Sequence, residues 1–191
     1  MLIFVSMFIL LLLFLIMITA VATLILIFIS GIISNAHGVP YVPIKRKQVK
    51  RLLSWGGLSA NDIFYDLGCG DARLLIGAVK DFGVKKAIGY EIAPWPYFKA
   101  RLAVRFSGVG ERVSIRRQNF FQADLSNATF VYAYLFPKPI DQLAYKLAKE
   151  LGGGSKILCP SFPINLVHHL EFKLLKSEKI DKITAYLYEK I

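Results

Sequence analysis

The first 33 residues of this 191-residue chain contain no charged side chain, and their only hydroxyls are Ser6, Thr19, Thr23 and Ser30. Such a run excludes a solvated helix or loop. A bilayer core of about 30 Å needs ~20 apolar residues as helix. This run is longer, roughly 50 Å as a continuous helix, so it must tilt or extend past the hydrocarbon. A cleaved signal peptide is the competing reading, and Ser34-Asn35-Ala36 has the small residues of a cleavage site. Against it, the sequence lacks a basic n-region, and the apolar run is about twice the usual h-region. A core helix is the other alternative, but a domain of the remaining size has no core large enough to hide it. The expected organisation is a transmembrane anchor over residues 1–33, a linker over 34–44 and one domain over 45–191.

Cysteine and histidine are scarce. Cys69 and Cys159 stand far apart and form no metal or redox spacing, which points to two small buried side chains in a reducing compartment. His168 and His169 are adjacent; on a strand they would face opposite ways and could not chelate together. No metal is expected.

Charge is confined to the rest of the chain, where 24 Lys and Arg against 13 Asp and Glu give a net +11. Lys45, Arg46, Lys47, Lys50 and Arg51 cluster within twenty residues of the apolar run. The positive-inside rule places the domain in the cytoplasm, as a single-pass membrane protein. These bases would also attract anionic headgroups, at about 1 kcal/mol each near the surface. Nucleic acid is the other partner a basic domain suggests. With an anchor attached, the bilayer or an acidic membrane-bound partner is favoured, and nucleic acid is not expected.

Past the PYVP linker, residues 45–55 show a helical period ended by Gly56-Gly57. Strands and helices then alternate: IFYDLGC, ARLLIGAVKDFG, KAIGYEI, PYFKARLAVRFSG, VSIRRQ, ATFVYAYL, DQLAYKLAKELGGG and SKILCPSF. The second of the long helices has Pro96 in its first turn and Gly108 after its last. Residues 118–129 lack a clear helix, so one crossover looks abbreviated. VHHLEFKLLK and KITAYLYEKI have hairpin character around a polar SEKID turn. The expected fold is α/β: a Rossmann-like, mainly parallel sheet covered on both faces, with a C-terminal antiparallel hairpin and the apolar helix in front.

The segment Tyr65-Asp66-Leu67-Gly68-Cys69-Gly70-Asp71-Ala72-Arg73 ends the first strand and opens a helix. Gly68 and Gly70 let the backbone turn and approach a ligand closely. Ligands of open α/β sheets bind at the carboxyl ends of strands. A nicotinamide dinucleotide would want a third glycine where Arg73 stands, and an acid such as Asp66 sits poorly beside phosphates. S-adenosylmethionine carries an ammonium and a sulfonium and no phosphate, so Asp66 favours it. Glu91, closing the second strand, can accept both ribose hydroxyls. Asn119, after the third strand, can bond the adenine edge, with Phe120 and Phe121 as apolar walls. The competing roles are a helix N-terminal charge for Asp66, a solvated strand end for Glu91 and an ordinary turn residue for Asn119.

DLGCGDARLLIGAVKDFGVKKAIGYEIAPW resembles the lysine methyltransferases that modify the ATP synthase c-subunit and the adenine nucleotide translocase, with their prokaryotic relatives. PYVP, QVKRLL and the GYE-x-x-PW-x-x-x-x-AR segment carry the same likeness, which covers most of residues 40–137. The resemblance implies a seven-stranded class I methyltransferase fold, S-adenosylmethionine as cofactor, lysine as acceptor and, in several members, an N-terminal membrane segment. It implies cofactor roles for Asp66, Gly68, Gly70, Glu91 and Asn119. The sequence departs from the pattern at Ala72 (usually glycine), Ile44 (usually a hydroxyl residue) and Ala93 (usually Asn).

Methyl transfer mainly requires alignment and exclusion of water. An apolar aromatic pocket would help a lysine acceptor lose its proton by desolvating the ammonium. Tyr134 and Pro137, with Tyr132 and Phe136, are the candidates for such a pocket. Strand alternation leaves Tyr132 and Phe136 as readily core as pocket. The function expected is methylation of a lysine on a membrane-associated protein. The alternatives are a lipid, quinone or other small membrane-partitioned acceptor, or a non-catalytic module of the same fold.

Overall fold

The computed structural model describes residues 2–36 and 44–191. The apolar run forms one 35-residue helix, α1 (Leu2–Ala36), three residues longer at its end than the expected anchor. Among the described residues nothing covers its most apolar stretch. Thr19, Thr23 and Ser30 each turn their hydroxyl back to a carbonyl three or four residues earlier, at 2.7–2.8 Å. Such back-bonding satisfies polar groups without solvent. The helix thus takes in the first three residues of the expected linker, and PYVP lies outside the described residues.

Helix α2 (Arg46–Gly56) buries Val49, Leu52 and Leu53 and stops at Gly57, whose φ of 72° only glycine adopts freely. The sheet follows, with β1 (Ile63–Leu67), β2 (Lys86–Tyr90), β3 (Val113–Arg116), β4 (Phe130–Tyr132), β5 (Lys156–Pro160), β6 (Phe172–Ile180) and β7 (Ile183–Lys190). Their order is β3-β2-β1-β4-β5-β7-β6. β1 to β5 are parallel, and β7 lies antiparallel between β5 and β6. The crossovers are α3 (Arg73–Phe82), α4 (Pro94–Ser107), a single 3-10 turn (Phe120–Gln122) and α5 (Pro137–Glu150). The abbreviated crossover is thus the one the sequence lacked a helix for.

Strand alternation divides the core between the two faces of the sheet. Phe64, Phe130 and Leu158 pack with Leu53, Leu75 and Val104 on one side. Tyr65, Val131 and Ile157 pack with Leu143, Leu147 and Tyr188 on the other. The strand order reverses direction between β1 and β4, which opens a crevice at their carboxyl ends.

Several boundaries differ from expectation. β4 ends at Tyr132, so Tyr134 and Phe136 lie on a loop and strand alternation does not apply to them. α5 starts at Pro137, not Asp141, because Pro137 and Pro139 occupy a first turn that needs no N–H. It ends at an extended Leu151 instead of a glycine; the glycines turn the chain afterwards, with Gly154 at φ 83°. β6 runs through the expected SEKID turn, and the hairpin closes at Asp181, φ 57°. His168 and His169 precede β6. His168 is exposed, while His169 is buried with Nε2 3.1 Å from the Asp141 carboxylate.

Candidate active site

The carboxyl end of β1 dictates the site. Gly68 (φ 94°) and Gly70 (φ 56°) fold the chain back over β2, and the N–H groups of Gly68 and Cys69 both donate to the Tyr90 carbonyl at 2.9 Å. This close approach needs a third glycine that the sequence motif did not reveal. A Cβ on Gly89 of β2 would lie 2.4 Å from Leu75 and 2.6 Å from the Cys69 sulfur. Ala72 follows at φ 64°, a left-handed conformation unfavourable for any residue with a Cβ.

Glu91 ties the glycine loop to the start of the next crossover. Its carboxylate accepts from the Gly70 N–H at 3.0 Å and from the Ala93 N–H at 2.8 Å. Burial pushes its pKa up, with those two donors pulling against the shift. Each oxygen keeps a further lone pair, so the paired-hydroxyl role remains chemically open. Arg73 pairs with Asp71 and reaches the Ile44 carbonyl, fixing the far side of the loop to the chain entering α2.

Asp66 is the most informative group. It is buried, and among the described residues its Oδ2 has no hydrogen-bond partner. Burial, together with the nearby Glu91 and Asp71 carboxylates, holds its pKa well above the usual carboxylate range. Beside it in register on β4 stands Tyr132, whose buried hydroxyl also lacks a partner among the described residues. Two unsatisfied polar groups on adjacent strands, facing one cleft, describe a ligand site. A buried carboxylate of this kind is satisfied by a cation. S-adenosylmethionine fits that requirement; a pyrophosphate does not.

Asp66, Gly68, Gly70, Glu91 and Asn119 all line this single cleft, and so do Phe120 and Phe121. Asn119 also does the turn residue's work, since its side-chain oxygen accepts from the Phe121 N–H at 3.0 Å. Only its amide NH2 is left to donate to a ligand. Of the acceptor-pocket candidates, Tyr134 lines the cleft with Tyr132 and Phe136, but Pro137 does not. Pro137 is the exposed first residue of α5 and lies outside the lining. Phe162, beyond β5, packs on Phe136 with ring centres 5.6 Å apart and closes the same wall. Ser34, in the last turn of α1, also lines the cleft. Tyr132's polar role, Phe162 and Ser34 were all missed in the sequence, because only strand register and helix docking bring them here.

Residues 66–171 match the ANTKMT methyltransferase domain. The chain belongs to this methyltransferase family. A protein-lysine N-methyltransferase of Saccharolobus islandicus is 41% identical over 150 residues, covering 78% of this methyltransferase and 92% of that protein. The mouse adenine nucleotide translocase lysine N-methyltransferase is 32% identical over 127 residues, 66% of this chain and 54% of its own. The chain therefore spans about half the length of that mouse relative. An RNA methyltransferase of Salinibacter ruber, crystallised with S-adenosyl-L-homocysteine, superposes with a TM-score of 0.72 at 30% identity, covering 78% and 94% of the two chains. The protein is a class I methyltransferase enzyme, and its cofactor is S-adenosylmethionine.

Proposed function

We propose that this methyltransferase methylates the ε-amine of a lysine on a membrane-associated protein. The acceptor type rests on the Saccharolobus relative, a protein-lysine methyltransferase matched over nearly its whole length. The aromatic wall formed by Tyr132, Tyr134, Phe136 and Phe162 supports it. A lysine entering such a wall is desolvated, which lowers its pKa and frees the lone pair for attack.

The bound cofactor supplies a methyl group on a sulfonium, already a good leaving group. Asp66 would hold its cationic end, Glu91 the ribose hydroxyls, and the Asn119 amide with Phe120 and Phe121 the adenine. Gly68 and Gly70 leave room for the ligand against the backbone. Tyr132 stays a neutral hydroxyl, since burial raises its pKa, and so can donate a hydrogen bond beside Asp66. Alignment and exclusion of water then carry the rate, without a dedicated base.

The membrane part of the proposal rests on α1. It has the length, the apolar surface and the internally satisfied hydroxyls of a single-pass anchor, and the bases from Lys45 to Arg51 favour a cytoplasmic domain. We place the anchor at residues 1–33 and the catalytic domain at 45–191. A cleaved leader is disfavoured because Ser30 and Ser34 pack on the domain.

Transfer of tritiated methyl to native membranes tests the reading. Label in a protein band that yields methyl-lysine on hydrolysis supports it. Label in the organic phase would point to a lipid or quinone acceptor. Label in the nucleic-acid fraction would point to RNA, the substrate named for the Salinibacter neighbour.

A further inference from the structure

Helix α4 has two apolar faces. Pro96, Ala100 and Val104 are buried against the sheet. On the opposite side, Trp95, Phe98, Leu102 and Phe106 recur at helical spacing, and the last three are exposed, Phe106 at 79%. A helix on the surface of an α/β sheet needs only the first face. The second is flanked on one side by Lys99 and on the other by Arg101 and Arg105, which are also exposed. Apolar stripe and basic flanks together are the pattern of a helix lying in a membrane interface.

The position of α4 says what covers that stripe. Its N-terminus packs against the last turns of α1, and the Trp95 N–H donates to Ser30 Oγ at 2.8 Å. Trp95 stacks on Phe98, so the stripe begins where α1 meets the domain. The basic helix α2, expected from the sequence to face the headgroups, is tied to the hairpin at its C-terminal half. Arg51 pairs with Asp181, and Trp55 donates to Glu178.

We propose that α4 is a second membrane-contacting element: Phe98, Leu102 and Phe106 enter the interfacial region of the bilayer, and Lys99, Arg101 and Arg105 meet anionic headgroups. The proposal rests on the reading of α1 as a membrane anchor and adds to it a defined contact surface on the catalytic domain. Such a contact lays the domain on the bilayer instead of leaving it to swing from α1. The cleft, whose rim includes Ser34 of α1, is then held close to the lipid surface.

The test is depth measurement on the full chain in vesicles of phosphatidylcholine and phosphatidylglycerol. Single cysteines at Phe98→Cys, Leu102→Cys and Phe106→Cys, and at Leu12→Cys in α1, carry a nitroxide label; native Cys69 and Cys159 are buried. Oxygen, which partitions into lipid, and a water-soluble nickel complex report where each label sits. The proposal expects all three α4 labels to be more accessible to oxygen than to nickel, and an Arg105→Cys label to show the reverse. Leu12 in hydrocarbon with the three α4 labels in water would overturn the proposal and leave the anchor standing. Leu12 in water would overturn both. Labels on α4 shielded from both reagents would place a protein partner or a second copy on the stripe, and would overturn the lipid assignment.

Discussion

Ser30 Oγ accepts the Trp95 backbone N–H at 2.8 Å, so a residue of α1 caps a helix 65 positions away. The residue in the N-cap position of α4 is Ala93, which has no side chain able to do it. Pro94 and Pro96 carry no N–H, so Trp95 offers the donor that a cap at this end must take. The departure from the family pattern at Ala93 is thus answered by α1. Ser30→Ala should lower the stability of the full chain in detergent by about 0.5–2 kcal/mol, the usual worth of a cap. Thr19→Ala, on an uncovered part of α1, should leave the melting temperature unchanged. Equal behaviour of the two variants in thermal melts would contradict the cap.

The cofactor assignment makes separable demands on Asp66 and Glu91. Asp66→Ala and Glu91→Ala should each weaken S-adenosylmethionine binding by about 1.5–3 kcal/mol in calorimetry. Glu91→Ala should cost more than Glu91→Gln, because the amide oxygen can still accept one of the two backbone N–H groups. NAD should give no thermal shift with the parent chain.

Asp66 also predicts a pH dependence. Its folded pKa is raised above that of the unfolded chain, chiefly by burial, so the folded ligand-free protein binds more protons across that interval. Stability therefore falls as pH rises from the ordinary carboxylate range through the raised value. Denaturant melts of the ligand-free protein should show this decline, and Asp66→Asn should flatten it. A cationic ligand favours the carboxylate, so binding within the interval should release a proton. Calorimetry in buffers of different ionisation enthalpy would detect the release, and its persistence in Asp66→Asn would exclude Asp66 as the source.

Ala72 holds a left-handed conformation at φ 64° where the family usually has glycine. Relief of that strain, about 1–2 kcal/mol, outweighs the ~0.5–1 kcal/mol entropic penalty of glycine. Ala72→Gly should stabilise the protein by up to about 1 kcal/mol in chemical denaturation, whereas Ala78→Gly within α3 should destabilise it.

What could be read from the sequence was local. Gly57, Gly83 and Gly108 announce helix ends because each takes φ near 70°, and the two glycines after Asp66 announce a ligand loop. Apolar periodicity gave the element order. What escaped depends on pairing across the fold. Tyr132 meets Asp66 only through the β1–β4 register, and Gly89 meets Cys69 only because the loop folds over β2. The start of α5 at Pro137 escapes the apolar period because its first turn is Pro-Lys-Pro, which suits a helix's first turn but shows no helical pattern. The apolar stripe of α4 was hidden because the helix is apolar on both faces, and a single periodic face is what the eye finds.

On the proposed reading of α1 as a membrane anchor, its seating on α4 makes that anchor a mast and not a rope. A rope would let the cleft sweep a volume, and any lysine within its length would be a candidate. A mast stepped at Ser30 and Trp95 would fix the elevation and bearing of the cleft relative to the bilayer. Selectivity then acquires a component that no pocket residue encodes. On that reading an acceptor lysine would qualify by its height above the lipid, and one placed a few ångströms too high or too low would be passed over, however well its flanking residues suit the aromatic wall.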